Sequence, residues 1–351
     1  MLGWGENVHP NLKHDFTRYT KWGMFARDEG PDSQGIDNGD PYARTFNTKN
    51  LYGGHPFYMA IEDNGAAHGV LILNSNAQDV ITVPSNGYIY RTIGGILDIY
   101  IFPGPTPAEV IQQYTAFVGR SFLPPYWALG FQLCRYGYKS LDDMKERVAA
   151  VRGYQIAFDV AYADIDYMER NKDFTIGQDK WSGFPAYVQI LHDWDMHNIL
   201  IFDPAIEVDY DTFSRAIQKN ASFIEWERAD EVPHDIQDVY PLAKDTKILL
   251  SVVWPDKHVA FPDFLDPQTS TSEWWTDEFR RFHDQIGFDG AWIDMNEPAA
   301  FGTNEAHPFY FDKPDHPSHS PVLPQAPIRS GTSLPTRPRP STSTERMHVS
   351  Q

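Results

Sequence analysis

The stretch Gly290-Ala-Trp-Ile-Asp-Met-Asn-Glu-Pro298 carries two carboxylates, Asp294 and Glu297, directly after a short apolar run. Phe288, Ala291, Trp292 and Ile293 read as a buried strand, because the run is too short for a helix and rich in strand-forming residues. Pro298 then ends it, since proline cannot donate to a ladder. A carboxylate at the C-terminal end of a buried strand is where a parallel α/β barrel places catalytic groups. Taken alone, an aspartate in that position equally serves as a turn cap.

The other strand ends weigh on the chemical side. Arg135-Tyr-Gly-Tyr138, Ala163-Asp-Ile-Asp-Tyr-Met168 and Asp203-Pro-Ala-Ile206 each follow an apolar run and mix charged or polar groups with apolar and aromatic residues. Convergent carboxylates among aromatics suit a pocket for an uncharged, hydroxyl-rich molecule, and glycoside hydrolysis requires paired carboxyl groups. Clustered Asp and Glu can also hold a divalent cation. The strand ends supply no histidine, so a metal-dependent hydrolase is disfavoured and neither metal nor cofactor is expected. His307, His316 and His319 are spaced by prolines rather than along a helix face, which disfavours a metal site there.

The elements that must position these groups follow from pattern. Residues 1 to about 120 show short apolar runs, Phe57–Ile61, Gly69–Asn74, Val80–Val83, Tyr88–Thr92 and Leu97–Phe102, separated by Asn-Gly and Gly-Gly turns. That spacing predicts a β-sandwich, followed by a helix over Ala108–Val118. From Pro124 strand and helix alternate: strand Ala128–Leu133, helix Leu141–Val151, strand Ile156–Ala161, helix Pro185–Asp195, strand Ile199–Phe202, helix Trp274–Gln285 and the strand ending at Asp294. Alternation of this kind predicts a parallel sheet with right-handed crossovers. An insertion of about 207–267, with its own strand Ile248–Trp254, interrupts the series and marks a functional rim.

Composition narrows the partner. The chain has 351 residues, 29 basic against 48 acidic, for a net charge of −19. Such acidity argues against nucleic acid and anionic membranes, and no apolar stretch is long enough to span a bilayer. Aromatics make up 14% of residues, with ten tryptophans, which leans towards sugars, whose C–H faces pack on rings. The single cysteine, Cys134, excludes an intrachain disulfide and is expected to pack as a small apolar residue. The start lacks the basic and apolar regions of a signal peptide, and the one glycosylation sequon is Asn220-Ala-Ser222.

Trp292-Ile-Asp-Met-Asn-Glu297 resembles the nucleophile signature of glycoside hydrolase family 31, the α-glucosidases of the maltase-glucoamylase, sucrase-isomaltase and acid α-glucosidase group. Tyr126–Tyr136 resembles that family's first barrel strand and Asp159–Met168 its second. Val253-Trp-Pro255 with Phe261-Pro-Asp263 resembles its rim insertion, and Phe25-Ala-Arg-Asp28 with Tyr90–Asp98 the preceding sandwich. The resemblance implies a retaining α-glucosidase with Asp294 as nucleophile. It implies substrate contacts from Asp28, Tyr136, Asp164, Ile165, Trp254, Trp292 and Met295, and neutral α-glucosides such as maltose and malto-oligosaccharides as partners.

The same resemblance sets expectations for organisation. Residues 1–120 are read as a partial β-sandwich and 121–303 as the first half of a (β/α)8 TIM-type barrel, about four strand–helix units. Residues 304–351 are read as a disordered tail that leaves the family pattern from about 318, its Pro, Ser and Thr composition offering no apolar face. The family's general acid/base comes from the second barrel half and is not found here. Glu297 is the nearest spare carboxylate but is expected to point into the loop, in a supporting role at best. The chain alone is therefore expected to be nearly inactive, and the alternative is a non-catalytic carbohydrate-binding or regulatory remnant. The family's animal members are secretory or lysosomal, without a visible signal here to match.

Overall fold

Alternating burial builds the first part of the protein. The computed structural model describes residues 1–6, 12–26, 51–84 and 86–303. Seven strands come first: β1 (Leu2–Gly3), β2 (Thr20–Met24), β3 (Phe57–Ile61), β4 (Ala67–Ile72), β5 (Gln78–Val83), β6 (Gly87–Thr92) and β7 (Ile99–Phe102). They pair as two antiparallel sheets, ordered β1-β3-β4-β7 and β2-β5-β6. Trp22, Met24 and Val80 of one sheet meet Tyr58, Val70 and Ile72 of the other, around a fully buried Trp4. The following helix α1 (Pro107–Val118) starts at Thr106, whose side chain and that of Glu109 cap each other's backbone N–H groups. Its Val110 packs on Phe57 and Phe102.

The later elements are β8 (Gln132–Leu133), α2 (Leu141–Gly153), β9 (Val160–Ala163), α3 (Phe184–Asp193), β10 (His197–Phe202), β11 (Ile206–Glu207), α4 (Asp211–Gln218), α5 (His234–Gln237), β12 (Leu250–Ser251), β13 (Val259–Ala260), α6 (Ser270–Ile286) and β14 (Gly290–Ile293). β8, β9, β10 and β14 form a parallel sheet in the order β14-β10-β9-β8. β11, β13 and β12 make a small antiparallel sheet within the expected insertion. On one face of the parallel sheet, Ala161, Ala163, Leu200 and Phe202 pack with Met144, Val148, Val188, Leu191 and Phe282 of the helices.

Three expectations require correction. Tyr126–Leu129 forms a 3-10 turn rather than strand, with Ala128 and Gly130 N–H groups bonded to Pro125 and Trp127 carbonyls. The strand begins at Gln132, and at Gly130 before it a side chain would meet the Asp159 carboxylate at 2.0 Å. The second strand starts at Val160 rather than Ile156, because Gln155 is left-handed (φ 55°) and Ile156 is exposed, so that segment serves as a connector. The fourth strand is not buried: Ile293 is 62% exposed, and β14 is an edge strand among the described residues. Asp28 and the tail 304–351 lie outside the described residues.

These packing differences are measurable. Phe202 is 1% exposed and contacts Phe174, Phe279 and Phe288, so Phe202→Ala is expected to cost about 3–5 kcal/mol in urea denaturation. Ile293→Ala is expected to change stability by less than about 0.5 kcal/mol.

Candidate active site

The register of the parallel sheet decides which side chains converge. Tyr162 lies opposite Ile199, Ile199 opposite Gly290, and Ile201 opposite Trp292. Side chains alternate along a strand, so Tyr162, Ile199, Gly290 and Trp292 share the face turned away from the helices. Gly290 is required there, since a Cβ would stand 2.9 Å from Ile199 Cγ1. An open concavity of about 570 Å³ lies over this face, lined by Gln132, Cys134, Tyr162, Ile199 and Trp292 among others. Tyr162 donates to Gln132 Oε1 at 2.6 Å and meets Trp292 edge-on, with ring centroids 6.0 Å apart.

Counting on by two brings Asp164, Asp203 and Asp294 to the same face, each immediately after the last residue of its strand. The ladder extends that far, because the Asp294 N–H donates to the Phe202 carbonyl at 3.3 Å. Asp164 is buried and accepts from the Ile165 N–H at 2.7 Å. Burial pushes its carboxyl up to about 6, against the pull of that hydrogen bond, and the charges of Asp166 and Asp294 push the same way. The Asp294 charge therefore reaches Asp164. Asp166 turns aside to accept from the Gly137 N–H at 2.8 Å.

A second wall comes from the loops. The Trp254 indole N–H donates to Met295 Sδ at 2.9 Å, and its ring lies 6.4 Å from that of Tyr136. Met295 is buried in a left-handed conformation (φ 55°), an uncommon one for a side chain of this size. That bend lets Asp294 and Met295 serve different walls. Ile165 is buried within the main apolar cluster, as a support beneath the site. Glu297 is half-buried on the loop after β14. Tyr136, Asp164, Trp254, Trp292, Asp294 and Met295 thus gather at one end of the sheet.

Sequence reasoning missed Gln132, Tyr162 and Phe301. The first two could have been found by counting back two residues from Cys134 and Asp164 on the concave face. Phe301, which stands 4.8 Å from Trp254 at 84°, carried no periodic signal. Cys134 is a correction: it is exposed on the concave face rather than packed away. Although the residue is exposed, partial desolvation of its sulfur, then the charges of Asp164 and Asp294, push the thiol pKa up. Among the described residues no group of three or more His, Cys, Asp or Glu could hold a metal, and no helix is long and apolar enough to cross a membrane.

Residues 121–348 match the glycosyl hydrolases family 31 TIM-barrel domain. The chain belongs to glycoside hydrolase family 31. It is 41% identical to human intestinal sucrase-isomaltase over 314 residues, covering 86% of this chain and 16% of that protein. Rat lysosomal alpha-glucosidase is 40% identical over 307 residues, covering 86% of this chain and 28% of the relative. The chain therefore spans well under a third of the length of these family 31 relatives. The family 31 alpha-glucosidase of Bacteroides thetaiotaomicron superimposes with a TM-score of 0.64 at 23% identity, over 87% of this chain and 45% of that one. That likeness shows the fold, an α/β barrel.

The raised carboxyl has a signed consequence. Near pH 5 the folded state keeps a proton on Asp164 that an unfolded aspartate, with a pKa of about 3.9, has released. Its contribution to stability is therefore greatest at low pH and is lost as pH rises through about 6. Asp164→Asn is expected to stabilise the protein by about 1–2 kcal/mol at pH 7 and by little at pH 4, read as denaturation midpoints at both pH values. The Cys134 thiol is expected to react with iodoacetamide more slowly than free cysteine at pH 8, with the rate still climbing above pH 9; a rate already at its plateau at pH 7 would contradict this.

Proposed function

We propose that this protein carries the glucose-binding and nucleophile side of a retaining α-glucosidase site, acting on neutral α-glucosides such as maltose and malto-oligosaccharides. The reading is carried by one observation: Asp294 stands at the end of β14, on the same sheet face as Trp292 and a buried Asp164. Attack by the Asp294 carboxylate on the anomeric carbon would form a covalent glycosyl-enzyme, which water then hydrolyses. Asp164, and Asp28 from outside the described residues, would accept hydrogen bonds from sugar hydroxyls. Tyr136, Trp254, Trp292 and Met295 would cover its C–H faces, with Ile165 packed beneath. The sequence similarity to sucrase-isomaltase and lysosomal alpha-glucosidase supports this substrate class. In domain terms, the antiparallel sheets within 1–120 are read as a β-sandwich and 121–303 as about four strand–helix units of the barrel.

A retaining mechanism needs a second carboxyl about 5–5.5 Å from the nucleophile, protonated to release the leaving group. Among the described residues we assign none to that role. Asp164 is committed to the Ile165 N–H and to the sugar, Asp203 is almost fully buried, and Glu297 is held in the loop in a supporting role. Turnover of unactivated maltose by the chain alone is therefore expected to be lower by about 10²–10⁴ than with a positioned acid. The alternative reading, a carbohydrate-binding protein without catalysis, is favoured by the half-exposed, open form of the concavity.

One reagent separates the two. A 5-fluoro-α-glucosyl fluoride has a leaving group that needs no proton, so it tests the nucleophile without the acid. Peptide mass mapping is expected to find the adduct on Asp294, and Asp294→Asn is expected to abolish it. Binding of maltose without any adduct would support the non-catalytic reading, and an adduct on another carboxylate would overturn the assignment of Asp294.

A further inference from the structure

A second cavity, of about 570 Å³, opens on the opposite, helix-covered side of the parallel sheet, between the loop after β9, the start of α4 and the face of α6. Phe282, which packs on Phe202 beneath the sheet, forms part of its wall. Its floor is a buried ion pair: Arg215 donates from Nε and Nη2 to the two Glu278 oxygens, each at 2.6 Å, and Glu278 is 1% exposed. The Tyr210 hydroxyl is tied to the Asp173 carbonyl at 3.2 Å, and Lys172 Nζ lies over the Tyr210 ring, 5.9 Å from its centroid. Thr175 is fixed by donating to the Lys172 carbonyl and accepting from the Glu169 N–H. Thr175, Tyr210, Arg215 and Glu278 are thus held in place before any ligand arrives.

The chemistry of the lining selects a class. Four carboxylates and three cations face the cavity, so no strong field of either sign favours an ion. Among the described residues no cluster could hold a metal. What remains is a mixture of donors and acceptors beside a tyrosine ring, within a volume typical of small-molecule sites, about 300–1,000 Å³. Vicinal hydroxyls, each both donor and acceptor, match such a lining.

We infer that this cleft between the β9 loop, α4 and α6 is a second, non-catalytic binding site for a short neutral oligosaccharide. The inference rests on the substrate class proposed above, and it adds a place where a remote stretch of the same glucan is held on the far side of the sheet from Asp294.

Maltotriose binding to the full chain, followed by titration calorimetry, tests it with two double variants. Trp292→Ala/Asp294→Asn disables the concave face. Arg281→Ala/Gln285→Ala alters the cleft at two exposed α6 positions that the fold does not need. The concave-face variant is expected to keep one binding event, and combining both pairs is expected to weaken it about tenfold or more, the equivalent of about 1.4 kcal/mol. Lys172→Ala, at a different wall, is expected to weaken it as well. Loss of all binding in the concave-face variant would overturn the inference, as would unchanged affinity in the cleft variants. Labelling of Asp294 reads the proposed activity independently, so failure of one does not count as failure of the other.

Discussion

The parallel register of β9, β10 and β14 is the constraint on which the rest depends. Side chains alternate with a period of two, so a slip of one residue in β9 would turn Asp164 towards the helices and present Ala163 to the concavity. Several contacts hold the register. Leu200 and Phe202 are sunk into the apolar layer under the helices. Gly290 alone allows β14 to lie against Ile199. The Asn198 side chain donates to the Ala161 carbonyl at 2.9 Å, while its N–H is received by Asp289 at 2.8 Å. These polar ties cross from β10 to both neighbours, at the end of the sheet away from the carboxylates.

The site carries an energetic cost that a ligand can offset. Asp164 sits where burial disfavours its charge, with the Ile165 N–H as compensation. Hydroxyl groups arriving there would donate to the carboxylate and favour its ionised form. An empty site is thus less comfortable than a filled one, a common trade of stability against function. The net charge of −19 fits this reading, since the same acidic surroundings would repel an anionic ligand.

The aromatic richness has two different uses. Trp4, Trp22, Trp181 and Trp274 are buried and serve as core. Trp254 and Trp292 are only partly covered and line the end of the sheet where the carboxylates gather. The compositional hint of sugar binding therefore rests on these two rings with Tyr136, while the four buried tryptophans report packing.

Local pattern alone determined the order and kind of most elements, because burial periodicity is written residue by residue: β3, α1, α2 and β10 lie within a few positions of their expected ranges. The run from Trp292 to Glu297 was legible as a family resemblance because it is contiguous in sequence. Tertiary structure decided what depends on distant partners. Ala128-Leu-Gly130 became a turn closed by local backbone bonds, with Gly130 packed too closely on Asp159 across the sheet to carry a side chain. Whether Cys134 was covered, and whether Ile293 was buried, turned on which layers lie against β8 and β14. The approach of Phe301 to Trp254, and the rise of the Asp164 carboxyl beside Asp294, required strands far apart in sequence to become neighbours. Pattern reports which face a residue prefers, and only the folded chain supplies what stands opposite that face.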